Sequence, residues 1–193
     1  MSFAKIFMLR NKIVLLGDSG VGKTSIIRRF LTNTFVNDMS STIGAAYIRA
    51  PYISDNVEYD MHIWDTAGQE KYRAITPIYT KSASAAIIVF DMSNKESLMS
   101  CDTWYDSNEY LKTIPLILVG NKFDVEKHAV TKDEAMIVAQ RIGCEVFFTS
   151  ALNGLGIKEL FRYCFEQVVS TAGRTIQEEH AMKSLPETKT SCC

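Results

Sequence analysis

Residues 14–30 read VLLGDSGVGKTSIIRRF: an apolar run, three glycines, then Lys23 and Thr24 opening a segment of helical period. The stretch fits G-x-x-x-x-G-K-[ST] through Gly17, Gly22, Lys23 and Thr24, and it lies between a strand pattern and a helix pattern, the context that gives the motif meaning. A chain gives up side chains at such a turn when a phosphate chain must come close to the backbone. Glycines remove the Cβ atoms in its way. The successive N–H groups of Asp18, Ser19, Gly20, Val21 and Gly22, with the helix start through Ser25, face its negative charge. Lys23 is placed to neutralise the β and γ oxygens, and the Thr24 hydroxyl to hold Mg2+.

Outward from this loop, short apolar runs alternate with longer segments of helical period, a rhythm that predicts an α/β domain with a mostly parallel sheet. Strands are expected over Lys12–Leu16, Ala46–Ile53, Glu58–Trp64, Ala85–Phe90, Leu116–Val119 and Glu145–Phe148. AAIIVFD and PLILVGNK are apolar without alternation, as strands covered on both faces are. The SDN between the second and third strands reads as a hairpin turn, making one edge strand antiparallel. Thr131 and Glu134 form a capping box before the helix Ala135–Ile142, and Gly143 supplies its left-handed stop. Leu98, Cys101, Trp104, Asn108 and Leu111 share one helical stripe; Ile157, Leu160, Phe161, Cys164 and Val168 share another. Both read as core.

The 193 residues, 47% hydrophobic and 22% charged with a net charge of −1, suit one globular domain and give no basic excess for nucleic acid. No signal peptide or membrane-spanning stretch is expected, so the chain is placed on the cytosolic side. Three of the five cysteines, Cys101, Cys144 and Cys164, read as buried free thiols in a reducing compartment. His62, His128 and His180 have no ligand spacing, so no histidine metal site is expected. Beyond about residue 170 the periodicity fades into a polar segment expected to be disordered. The expected organisation is a domain over 1–170 and a flexible tail over 171–193.

Two further motifs follow buried strands. In IWDTAGQE, residues 63–70, Asp65 ends a strand where a carboxylate can hold Mg2+ through water, and the Gly68 N–H can reach a γ-phosphate only if its loop closes. Gln69 is placed to orient an attacking water, so Gln69, Lys23 and Gly68 are the expected catalytic groups. In NKFD, residues 121–124, Asp124 can accept two hydrogen bonds from a base bearing N1–H and a 2-amino group, which guanine has and adenine lacks. Asn121 and Lys122 brace that loop and cover the base. TSAL, residues 149–152, offers the Ala151 N–H to the guanine O6, flanked by Ser150 and Leu152.

These motifs, in this order and at these separations, resemble the Ras-superfamily small GTPases, and the Rab branch in particular, over residues 10–170 and the tail. The resemblance implies a three-layer P-loop NTPase fold with a six-stranded sheet and five helices. It implies a switch that cycles between GTP and GDP, works with Mg2+ and hydrolyses GTP slowly unless a GAP supplies a factor of roughly 10³–10⁵. It implies that Thr42 joins Thr24 and Asp65 at the metal and that Phe35 packs against guanine; spacing alone leaves Ser40 and Ser41 as alternatives to Thr42. STIG, WDTAGQE and the terminal Cys192–Cys193 carry the Rab likeness.

Ile43, Tyr47, Trp64 and Tyr79 match the family's effector-reading surface, although the three aromatics equally suit plain core packing. AAY stands where Rabs commonly have VDF, a form similar to that of early-endosomal Rabs. EKYRAITPIYTKSA departs from the common ERFRSLTPMYYRGA, with Thr80 in place of a tyrosine.

In Rabs the paired terminal cysteines carry two geranylgeranyl groups, and two lipids anchor where one binds marginally. The tail has three basic and three acidic residues, so it has no polybasic patch to help. The expected partners are a GEF, a GAP, a GDI or escort protein, and effectors. The protein is expected to be a monomer on the cytosolic face of endomembranes, vesicle or endosome, and in the cytosol. Two readings compete: a GTP-binding scaffold with little or no hydrolysis, and a P-loop kinase, which would need an arginine-rich lid that TNTFVNDMSSTIG does not supply.

Overall fold

The computed structural model describes residues 11–37, 42, 44–68 and 76–183, without the side chains of 76 and 172–183. Six strands form one sheet: β1 (Lys12–Leu16), β2 (Ala45–Ser54), β3 (Val57–Thr66), β4 (Ala85–Asp91), β5 (Leu116–Asn121) and β6 (Glu145–Phe148), in the order β2-β3-β1-β4-β5-β6. Only β2 and β3 pair antiparallel; the other neighbours are parallel. Five α-helices are described: α1 (Lys23–Thr32), α2 (Thr76–Thr80), α3 (Lys95–Asp106), α4 (Lys132–Ile142) and α5 (Ile157–Lys183).

Strand alternation sorts the core into two layers. Ile13, Leu15, Ile87 and Val89 point to one face and pack with Ile26 and Ile27 of α1 and Leu160, Phe161 and Cys164 of α5. Val14, Leu16, Ile88 and Phe90 point to the other, against Leu98, Cys101 and Trp104 of α3 and Ala135 and Ile142 of α4. All seven residues of β4 are buried, which is why AAIIVFD shows no alternation. On the α1/α5 face, Phe30 stacks on Phe161 with ring centroids 4.0 Å apart.

Several local expectations are met. The capping box of Thr131 and Glu134 forms, and Gly143 ends α4 in the left-handed conformation. The hairpin turn is tighter than SDN suggests: Ser54 pairs with Val57, leaving Asp55 and Asn56 as a two-residue turn with both φ positive, the geometry that follows the strand twist.

Others are corrected. The Leu98–Leu111 stripe is buried, but it is not one helix. α3 stops at Asp106, and Asn108 adopts extended backbone so that its side chain accepts from the Tyr110 N–H and caps a 3-10 helix over Glu109–Thr113. A short polar side chain that can bond local backbone competes with helix continuation. The Asn108 amide also donates to the buried Thr80 hydroxyl, so the threonine that departs from the family pattern has a specific partner. Cys101 and Cys164 are buried free thiols, and burial pushes their pKa up; Cys144 is only half-buried, its pKa raised to about 11 chiefly by burial. α5 continues to Lys183, past the point where apolar periodicity fades, although Val168 is the last buried side chain described.

Candidate functional site

β1, β3, β4, β5 and β6 point their carboxyl ends to one edge of the sheet, where ligands of open α/β sheets bind. There a cavity of about 420 Å³ is lined by residues from all three sequence motifs. β1 lies at the centre of the sheet, flanked by β3 and β4, and the glycine loop leaves its end.

The loop's glycines serve reasons the sequence did not separate. At Gly17, with φ +131°, a Cβ would sit 2.1 Å from the Val89 carbonyl oxygen; at Gly22, with φ +98°, it would sit 2.3 Å from Asn121 Nδ2. These two make room for the protein's own strands and loops. Gly20 faces open space, and it lines the cavity together with Ser19 and Ser25. Asp18 and Val21 act from behind. The Asp18 carboxylate accepts the Trp104 Nε1–H at 2.9 Å, and the Val21 carbonyl accepts from Asn121 Nδ2 at 2.9 Å. α1 starts from its N-cap Gly22 without a side-chain cap, the kind of helix start whose N–H groups suit an anion.

Lys23 is buried, and its ammonium donates to the carbonyls of Gly17 at 2.7 Å and Asp18 at 2.8 Å. Burial lowers its pKa to about 8, against the opposing pull of the Asp65 and Asp18 carboxylates. Beside it, the Thr24 hydroxyl donates to Asp65 Oδ2 at 2.6 Å and lies 2.9 Å from the Thr42 hydroxyl, itself 3.5 Å from Asp65 Oδ2. Asp65 Oδ1 is buried with no hydrogen-bond partner among the described residues, and burial raises the carboxyl pKa despite Thr24, Lys23 and Thr42. An orphaned carboxylate oxygen beside two hydroxyls is a hard-oxygen donor set, which fits Mg2+.

Gly68 lies against this group: a Cβ there would fall 2.4 Å from the Asp18 carbonyl and 2.4 Å from Lys23 Nζ. Gly68→Ala is therefore expected to push residues 66–68 off the glycine loop and slow single-turnover GTP hydrolysis by about 10²-fold with GDP binding kept, since a shift of about 1 Å can cost that much. Unchanged hydrolysis would show that this approach is incidental.

At the other end, Phe35 lines the cavity and packs on the α1/α5 core. Asn121, 1% exposed, ties the loops together: its amide donates to Val21, and its Oδ1 accepts from the Thr149 hydroxyl at 3.2 Å and the Ala151 N–H at 3.3 Å. Lys122 pairs with Asp91 at 2.6 Å, which holds its side chain along the rim. Asp124, Ala151 and Leu152 line the cavity; Ser150 does not, and its hydroxyl instead donates to the Asp124 carboxylate. Gln69, Ile43, Cys192 and Cys193 lie outside the described residues.

Tyr47, Trp64 and Tyr79 form a continuous aromatic row, with centroid separations of 5.7 Å and 6.3 Å. Tyr47 is 48% exposed, whereas Trp64 and Tyr79 back onto the α3/α4 core. The row is a partly exposed surface rooted in the core.

Sequence reasoning missed Thr66, Val36, Asn37 and Val125 in the lining and Asp91, Trp104 and Arg29 behind it. Asp91 was open to the reasoning that found Asp65, an acid at the carboxyl end of an apolar strand. Thr66 lies within IWDTAGQE itself, beside Asp65; the others bear no motif.

Fold and site together define a P-loop guanine-nucleotide-binding protein of the small GTPase class. A sequence model described as the Ras family matches residues 12–170. The Ras-related protein Rab5 of Nicotiana tabacum is 34% identical over 194 residues, covering 96% of this chain and 96% of its own. Ras-related protein Rab-18 of Lymnaea stagnalis is 36% identical over 165 residues, 84% and 82% of the two chains, and the Ypt/Rab-type GTPase ypt7 of Schizosaccharomyces pombe is 35% identical over 161, 78% of each. The chain belongs to the Ras family as a Rab-type small GTPase, an enzyme that hydrolyses GTP to GDP and phosphate.

Proposed function

We propose that the cavity binds GTP and GDP with Mg2+ and that the chain acts as a switch in endomembrane trafficking. The observation that carries this reading is the convergence of Thr24, Thr42 and Asp65, with its orphaned oxygen, beside the buried Lys23. Lys23 and the amides of residues 18–25 take the phosphates, and Thr24, Thr42 and Asp65 hold the metal. Bound there, Mg2+ neutralises phosphate oxygens. The Gly68 N–H meets the γ-phosphate and Gln69 orients the attacking water. Asp124 reads the guanine N1–H and 2-amino group; the Ala151 N–H takes O6, for which it exchanges its long bond to Asn121. Phe35, Lys122 and Leu152 cover the base, and Ser150 fixes Asp124.

Residues 1–170 then form the GTPase domain, and 171–193 a tail whose Cys192 and Cys193 carry geranylgeranyl groups. No helix among the described residues is long and apolar enough to cross a membrane, so attachment on this reading comes from lipid. Ile43, Tyr47, Trp64 and Tyr79 present the effector surface when Thr42 and Gly68 are drawn to the γ-phosphate. A GEF, a GAP and a GDI or escort protein complete the cycle. The relatives lend no support to a non-hydrolysing scaffold.

The test is displacement of a fluorescent GDP from the purified protein. GTP and GDP should displace it and ATP should not, and EDTA should speed release. Displacement by ATP, or indifference to EDTA, would defeat the reading.

A further inference from the structure

Arg29 sits in the last turn of α1, behind the base end of the cavity and outside its lining. Its Nε donates to the Ala151 carbonyl at 2.7 Å, one terminal nitrogen to the Leu152 carbonyl, and the other to the Asn33 carbonyl at 2.8 Å. The Asn33 N–H returns a bond to the Arg29 carbonyl at 3.0 Å, closing the helix end. One planar fork therefore holds three carbonyls on two segments: residues 151–152 of the base loop, and the chain leaving α1 two residues before Phe35. A lysine ammonium, a point donor on a flexible stem, cannot reproduce that fork.

We propose that Arg29 is a positioning residue for guanine recognition, orienting the peptides of residues 151 and 152 so that the Ala151 N–H meets the base O6. The inference deepens the proposed function and rests on its assignment of that N–H. The base loop lies between two side chains, with Arg29 taking its carbonyls from outside and Asn121 meeting its N–H from inside. Without the fork, the outer restraint is lost and the N–H turns away from the base. Because the same fork holds Asn33, the start of the segment carrying Phe35 and Thr42 is tied to the loop that reads O6. Neither interaction leaves a trace in sequence, since Arg29 and Ala151 are 122 residues apart and the acceptors are backbone.

The experiment measures GDP, 6-thio-GDP and IDP affinities for the wild type, Arg29→Ala and Arg29→Lys. The first analogue alters only the O6 position, and the second removes only the 2-amino group that Asp124 reads. In Arg29→Ala, GDP release is expected to quicken about tenfold, and preference for GDP over 6-thio-GDP to fall from about tenfold to threefold or less, with preference over IDP kept. Arg29→Lys should fall between. Equal loss of both preferences would assign Arg29 a merely structural part and overturn the proposal, as would full retention of the 6-position preference. If Arg29→Ala does not fold, the comparison of Arg29→Lys with wild type decides by the same criterion. Absence of 6-position preference in the wild type would instead overturn the assignment of the Ala151 N–H on which the proposal rests.

Discussion

In Lys23→Ala, affinity for both GDP and GTP is expected to fall by about 10³-fold, as competition against a fluorescent nucleotide would show. Truncating one partner of a buried, hydrogen-bonded charge pair costs roughly 2–5 kcal/mol, and about 4 kcal/mol corresponds to 10³-fold. Retained affinity would remove Lys23 from the phosphate site. The same residue predicts a pH signature. Without nucleotide its pKa stands near 8 because burial disfavours the ammonium. A phosphate chain raises that pKa, so binding at pH 9 should take up a proton and affinity should fall as pH rises above about 8. Calorimetry in two buffers of different ionisation enthalpy reads the uptake, which Lys23→Ala should lack. For the nucleotide-free fold the sign is the reverse of a salt-bridged lysine. Below about pH 8 the buried ammonium carries its full burial cost. Between about 8 and the ordinary 10.5, the folded chain sheds a proton that the unfolded chain keeps, so this group's contribution to stability rises with pH.

Asp124→Asn is expected to lower GTP affinity by about 10³-fold or more and to move preference toward xanthine nucleotides. Asp124 lines the base end of the cavity, and its carboxylate is held by the Ser150 hydroxyl. An amide there keeps one acceptor but puts a donor where guanine, with its N1–H and 2-amino group, wants the second, and that donor can meet a xanthine carbonyl. Sites built on such polar pairing discriminate strongly because the wrong partner leaves buried groups unpaired. Competition by GDP and XDP reads the exchange directly; undiminished GTP affinity would remove the base-recognition role of Asp124.

The elements most legible in the sequence were those whose cause is local. β1 and β6 fall where the apolar runs end, and the Thr131 cap and Gly143 stop bound α4 because each is decided within four residues. The break at Asn108 was hidden because its spacing is helical and its partners, Thr80 and the Tyr110 N–H, become apparent only in three dimensions. At the site, the motifs supplied lining residues from the ends of four strands, β1, β3, β5 and β6. They did not supply the props: Trp104 beneath Asp18, Arg29 behind Ala151, or Val89 against Gly17. Those depend on which strands become neighbours, which a motif does not encode.

Asn121 has a consequence for how nucleotide leaves. Its side chain belongs to the phosphate loop through Val21 and to the base loop through Thr149 and Ala151, and water scarcely reaches it. Opening the phosphate loop alone would strand a buried amide without a partner, a penalty of about 1–3 kcal/mol on the half-open state. Release is thereby made cooperative: the protein lets go of base and phosphates in one event, and a factor that prises either end apart loosens the other.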